Sequence, residues 1–124
     1  MQEIILTLSI LIILCLSIIT WIQVGYWHNS ITLWNHTLKV TDYNWLAYNN
    51  RGNAYSDFGN YKQAIEDYGR VIEIKPGYAE AYYNRGFIYL KQGDNISGCR
   101  DARKACELGN CKLLEAANTK GLCR

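Results

Sequence analysis

No lysine or arginine precedes Lys39, and residues 4–24 (IILTLSILIILCLSIITWIQV) contain no charged residue at all. The first absence removes the basic leader of a secretory signal, since only MQE stands before the run. It also leaves the positive-inside rule without flanking cations that would orient a span. Histidine is scarce: His28 and His36 are the only two, eight residues apart, which at ~100° per residue puts them about 80° off a shared helix face. They read as interfacial or surface imidazoles. No histidine lies near the cysteines, and CELGNC (106–111) lacks the CxxC spacing of a zinc site, so neither metal nor cofactor is expected. Glu66-Asp67 and Asp101 fall on helix faces read as solvated, with no pocket to raise a carboxyl pKa. No catalytic constellation emerges, and the chain reads as a non-enzyme. Strong charge is absent too: the net value is +2, with 13 basic residues facing 10 acids beyond the apolar run, which argues against nucleic acid as a partner.

What is present begins with that apolar run. Its 21 residues, at ~1.5 Å rise each, match the ~30 Å hydrocarbon thickness of a bilayer. We read residues 1–25 as a transmembrane anchor that meets lipid through residues 4–24. Thr7, Ser9, Ser17 and Thr20 can bond back to their own helix carbonyls, and Trp21, Tyr26 and Trp27 suit the interface. Cleavage is not expected, because the run is too long for a signal and no small-x-small site follows it. Lipidation at Cys15 is not expected either, because bulky Leu14 stands where a lipoprotein signal has a small residue.

Four of the five cysteines, Cys99, Cys106, Cys111 and Cys123, crowd into the last 26 residues. An even cluster in a small tethered domain suggests disulfides and an oxidising, exoplasmic compartment; four buried reduced thiols are the alternative. Asn35-His36-Thr37 and Asn95-Ile96-Ser97 match the N-glycosylation acceptor pattern, which also arises often by chance.

A shift of 34 residues lays NWLAYNNRGNAYSDFGNYKQAIEDYGRVIEIKPG (44–77) over YAEAYYNRGFIYLKQGDNISGCRDARKACELGNC (78–111) without a gap. Ala47, Tyr48, Asn50, Arg51, Gly52, Tyr55 and Gly59 recur as Ala81, Tyr82, Asn84, Arg85, Gly86, Tyr89 and Gly93. Tyr48, Gly52 and Tyr55 share one helical face, where a glycine between two rings lets a neighbouring helix approach. Gly59-Asn60 breaks the chain, Ala64, Ile65, Tyr68, Val71 and Ile72 make the facing stripe, and Pro76 stops it. In the second copy Gly98, Ala102 and Asn110 stand for Ala64, Tyr68 and Pro76, so its second helix reads as degenerate.

The period and its landmarks Tyr48, Gly52, Tyr55, Gly59, Ala64, Tyr68 and Pro76 resemble the tetratricopeptide repeat, a pair of antiparallel helices. The resemblance implies an all-α fold: a short α-solenoid with repeats at 44–77 and 78–110, preceded by one transmembrane helix. By the same period residues 26–43 read as a half-repeat, with Gly25 over Gly59, Ile31 over Ile65, Trp34 over Tyr68 and Leu38 over Ile72. The end of the membrane helix is then expected to stand in for the missing partner helix. Residues 111–124 supply an apolar cap, Leu113, Leu114, Ala116 and Ala117, of the kind that solenoid ends need. Antiparallel folding after Gly109-Asn110 favours Cys106 with Cys111 and Cys99 with Cys123 among three possible pairings.

In such arrays the first helix of each repeat lines a concave ligand face. By resemblance the contact positions here are Leu46, Asn49, Asn50, Asn53, Ser56 and Asp57, then Glu80, Tyr83, Asn84, Phe87, Leu90 and Lys91. Some members grip a peptide carboxylate with two lysines, two asparagines and an arginine. Asn53 and Asn84 hold the asparagine positions, but Asn49 stands where the first lysine would be. Asn50, Arg51, Asn84 and Arg85 read equally well as bridges between helices.

The leading expectation is a membrane-anchored interaction module whose concave face takes a protein or peptide. A second rests on residues 4–60, which resemble the last span and first repeat of multi-span glycosyltransferases of the dolichyl-phosphate-mannose type. On that reading the chain is an accessory or split-off part of such an enzyme. Self-association through exposed repeat ends is a third.

Overall fold

The computed structural model describes residues 1–123, leaving aside the side chains of Gln2, Glu3, Gln23, Tyr26, Trp27, His28 and Asn29. The interfacial roles read for Tyr26 and Trp27, and the surface role of His28, therefore lie outside the described residues. The described chain is all-helical: α1 (Gln2–Val40), α2 (Trp45–Asp57), α3 (Tyr61–Ile74), α4 (Ala79–Lys91), α5 (Asn95–Glu107) and α6 (Lys112–Thr119). Each packs against the next in chain order, and α4 also touches α6.

The first part of α1 has no tertiary partner. Ile4–Ile22 is long and apolar enough to cross a membrane and none of it is buried. Its hydroxyls turn inward along the helix, Thr7 to the carbonyl of Ile4, Ser9 to Ile5, Ser17 to Ile13 and Thr20 to Leu16, at 2.7–2.9 Å. That leaves an unbroken hydrocarbon exterior. The helix then runs through Gly25 to Val40, 39 residues and about 58 Å without a turn.

This continuity corrects one expectation. The apolar run does not fold back as a partner for the half-repeat, because the two are one helix. Gly25 and Gly59 share a place in the period but not a conformation. Gly59 has φ +75°, and its turn is closed by Asn60 N–H to the carbonyl of Tyr55 at 2.8 Å. Gly25 stays helical inside α1; a lone interior glycine costs only about 1 kcal/mol, too little to end a helix this long. Beyond it, Ile31, Trp34, Asn35 and Leu38, three and four residues apart, form the half-buried stripe that α2 packs on.

The ends of α2, α4, α5 and α6 are closed alike. Gly59, Gly93, Gly109 and Gly121 all have positive φ, and the next residue in each case donates back over five positions: Asn60 to Tyr55, Asp94 to Tyr89, Asn110 to Ala105 and Leu122 to Ala117, at 2.8–2.9 Å. This is the Schellman closure, which satisfies carbonyls the helix end would orphan. Asn44 and Asp94 cap α2 and α5, accepting from Ala47 N–H and Ser97 N–H at 3.0 Å.

Ala64, Tyr68 and Ile88 form the core, flanked by Tyr55, Tyr61 and Ile65. A Cβ on Gly52 would lie 2.9 Å from the Tyr68 ring, so this glycine is what lets α2 and α3 approach. The second hairpin closes differently. A Cβ on Gly98 would lie 2.6 Å from Leu90, the residue that stands where the first hairpin has Ser56, so a larger side chain on α4 is accommodated by a smaller one on α5. Despite its departures from the pattern, α5 forms 13 full helical residues.

Asp67 and Asp101, read as solvated, are buried, each 4% exposed. Arg51 donates through Nε and Nη2 to both oxygens of Asp67 (2.8 and 2.6 Å), and Arg85 does the same to Asp101 (2.7 and 3.0 Å). Residues 16 apart meet here because each hairpin folds its two helices antiparallel. Arg51 also donates through Nη1 to Asn35 on α1 at 2.7 Å, tying α1, α2 and α3 together. Burial pushes the Asp67 carboxyl above its usual range and outweighs the pull of Arg51, whose own pKa the pair raises further.

Cys99 is joined to Cys123, with Cα atoms 5.4 Å apart, and Cys106 to Cys111. The two bonds hold α6 at both ends. Cys15 is free and exposed within the apolar run.

Candidate functional site

Because α2 and α4 are equivalent first helices of successive hairpins, their inner faces lie side by side. Between them is a groove of about 430 Å³, lined by Asn53, Ser56, Asp57, Tyr68, Glu80, Tyr83, Asn84 and Phe87. Seven residues singled out for the concave face, Asn53, Ser56, Asp57, Glu80, Tyr83, Asn84 and Phe87, are thus brought together. Phe87 is half exposed at 48%, its ring open to solvent.

The floor of the groove is a hydrogen-bonded chain. Tyr68 donates its hydroxyl to Asn53 Oδ1 at 2.7 Å, and Asn84 Nδ2 donates to the same oxygen at 3.3 Å. With its oxygen taken twice, Asn53 presents its amide N–H₂ as the donor. Burial first, and then the nearby carboxylates of Asp57, Asp67 and Glu80, push the Tyr68 phenol far up, so it stays a protonated donor. The surface can therefore make directional hydrogen bonds to a backbone or side-chain amide. Asp57 and Glu80 make one end acidic.

Other candidates are placed elsewhere. Asn49 is 5% exposed and its Oδ1 has no hydrogen-bond partner, so it is closed to a ligand, although its counterpart one period on, Tyr83, lines the groove. The resemblance assigned both to the ligand face; in this fold only Tyr83 reaches it. Asn50 is half-buried and not part of the lining. Arg51 and Arg85 are committed to Asp67 and Asp101 and act as bridges. Lys91 lies next door, in an apolar hollow of about 310 Å³ between α4 and α6 that shares Phe87 with the groove. The sequence reading took Tyr68 as core alone and missed its hydroxyl; a tyrosine in an otherwise aliphatic stripe was the available signal.

Comparison with known proteins accords with this geometry. Residues 52–93 match the family model described as TPR repeat, and residues 79–108 the one described as Tetratricopeptide repeat. The Small glutamine-rich tetratricopeptide repeat-containing protein 2 of Saccharomyces cerevisiae is 29% identical over 87 residues, 70% of this chain and 25% of the relative. The Tetratricopeptide repeat and J domain-containing co-chaperone DNJ1 of Cryptococcus neoformans is 26% identical over 70 residues, 56% of this chain and 13% of the relative. The chain thus spans a quarter or less of these curated relatives. Among solved structures, the first TPR of Spaghetti (RPAP3) bound to HSP90 peptide SRMEEVD superposes with a TM-score of 0.71 at 19% identity, covering 81% of each chain. That likeness is one of fold. Residues 52–108 of this chain are thus similar to tetratricopeptide-repeat proteins.

Proposed function

We propose, for a chain whose residues 52–108 are similar to tetratricopeptide repeats, that it is a membrane-held adaptor binding an extended peptide or protein segment. The α2–α4 groove is the binding face. The carrying observation is the convergence of Asn53, Tyr68, Tyr83, Asn84 and Phe87 on one concave surface, amide donors beside an open ring. Relatives whose names include a co-chaperone, and a similarly folded domain holding a peptide, support a peptide as the ligand class.

In this reading residues 4–24 cross a bilayer, and residues 26–40 continue the same helix as the first wall of the solenoid. The groove then stands at a fixed height above the membrane, because no linker separates anchor from repeats. The two disulfides favour the exoplasmic side. The accessory-glycosyltransferase reading draws no support from the relatives or from the groove.

The test is selection of random nonapeptides against the immobilised full chain in detergent micelles. Peptides that bind the parent and lose about tenfold or more with Asn84→Ala or Tyr83→Ala establish the groove. Selection that yields nothing, or peptides indifferent to both substitutions, rules it out.

A further inference from the structure

We propose that a hollow between α5 and the C-terminal tail holds the headgroup of an anionic phospholipid in the bilayer that α1 crosses. This rests on the membrane-held reading and adds a second contact between the repeats and the same membrane.

The register of the helices carries it first. Hydrogen bonds from Arg51 to Asn35 and Asp67 set α1, α2 and α3 at one level, and the Arg85–Asp101 pair does the same for α4 and α5. Arg85 also reaches α3, its Nη1 3.8 Å from where a Cβ on Gly69 would be. Because each arginine and its aspartate are 16 residues apart, the turns at Gly59 and Gly93 both lie midway, on the side where α1 descends to its apolar part. The same distance down α1 from Asn35 ends three residues, about 5 Å, beyond Val24. The start of α5 thus faces the headgroup layer.

The second observation is the hollow itself, about 340 Å³, lined by Asn95, Ile96, Arg100, Arg103 and Leu122 beside the Cys99–Cys123 bond. Arg51, Arg70 and Arg85 each pair with a carboxylate, whereas Arg100 and Arg103 enter no ion pair among the described residues. Asp94, a carboxylate within electrostatic reach of Arg100, is engaged with the Ser97 N–H as the cap of α5. Two guanidiniums three residues apart offer forked donors that match phosphate oxygens. Ile96, 77% exposed in the same hollow, supplies an apolar contact for the glycerol and upper acyl region. A free anion would leave that side chain bare, which favours a lipid. The Cys99–Cys123 bond fixes the tail against α5, so the hollow is formed before the headgroup arrives.

The experiment compares hydrogen exchange of the full chain in nanodiscs of phosphatidylcholine alone and of phosphatidylcholine mixed with phosphatidylglycerol. The anionic discs should slow exchange over residues 92–100 about tenfold and leave residues 40–46, at the opposite edge, unchanged. Arg100→Gln/Arg103→Gln, at two exposed positions, should remove the difference while keeping the parent's rates in neutral discs. Equal rates in the two lipids, or slowing of both edges alike, overturn the proposal. Glycerol phosphate that produces the same protection in neutral discs gives the hollow to a free anion and also overturns it. Cys15 separates the two readings, since it lies within the apolar run. Its labelling by a water-soluble maleimide in the discs shows that α1 does not span and overturns the anchor as well. A shielded Cys15 without lipid-dependent protection overturns the headgroup site alone.

Discussion

The two hairpins share a period but close by different means. In the first, Gly52 lies under the ring of Tyr68, a residue of the same hairpin. In the second, Ala102 replaces that tyrosine, and Gly86 is covered by the Asp101 Cβ and by Leu113 of α6, at 2.9 and 3.1 Å from where its own Cβ would be. The first hairpin fills its core from within. The second borrows a side chain from the cap, and the cap is held by disulfides. Apparent degeneracy in α5 is thus a transfer of packing from one helix to the next.

That contrast can be broken at the part the hairpins share, the buried arginine–aspartate pair. Arg51→Met leaves the Asp67 carboxylate buried without its partner and should cost about 3 kcal/mol. Because burial already pushes Asp67 upward, the double variant Arg51→Met/Asp67→Leu should return to within about 1 kcal/mol of the parent. Opening free energies from native-state hydrogen exchange, read in α2 and α3, give both values.

Removing the Cys99–Cys123 bond, which closes a 24-residue separation, should cost about 3 kcal/mol. The location matters more than the size: Cys99→Ala/Cys123→Ala should raise exchange in α5 and α6 and leave α2 and α3 nearly unchanged. Equal loosening of both hairpins would erase the distinction.

Next in size is Gly98→Ala, expected to destabilise α4–α5 packing by about 2 kcal/mol through its clash with Leu90. Adding Leu90→Ser recreates the Ser56 and Ala64 combination of the first hairpin and should recover most of the loss. The same exchange measurement reads it, now at α5.

The smallest effect is a pH difference between two aspartates. The Ser97 N–H lowers the Asp94 pKa, so its capping contribution is complete above the unfolded carboxyl value near ~3.9 and is lost as pH falls through the folded value. Asp67 is raised, so its folded form takes up a proton more readily than the unfolded chain, and its sign is opposite. Acidification toward pH 3 should therefore loosen the start of α5, seen as reduced protection at Ser97, without a parallel loss through Asp67. Asp94→Asn should remove the pH dependence at Ser97.

Much of this was legible in the letters. The 34-residue offset, the turn glycines and the tyrosine–glycine–tyrosine face mark out the hairpins, and the groove follows once first helices are known to lie side by side. The Arg51–Asp67 and Arg85–Asp101 pairs were less accessible, since a spacing of 16 means contact only after a hairpin has formed. Reading Asp67 and Asp101 by local helix periodicity put them in water. Gly25 misled for a related reason: glycine permits a turn, but the Schellman hydrogen bonds that make one are absent there, and the helix goes on. Asn49 and Tyr83 share a position in the period and differ in burial, which a 34-residue offset alone does not reveal.

The most direct measurement is thiol labelling of the full chain in intact cells, with a membrane-impermeant maleimide applied before and after a membrane-impermeant reductant. If α1 crosses the bilayer and carries the groove into an oxidising compartment, Cys99, Cys106, Cys111 and Cys123 will label only after reduction. Labelling that requires permeabilisation of the membrane and no reductant would place the repeats in the cytoplasm with reduced thiols, and would contradict both the proposed orientation and the bracing of α6.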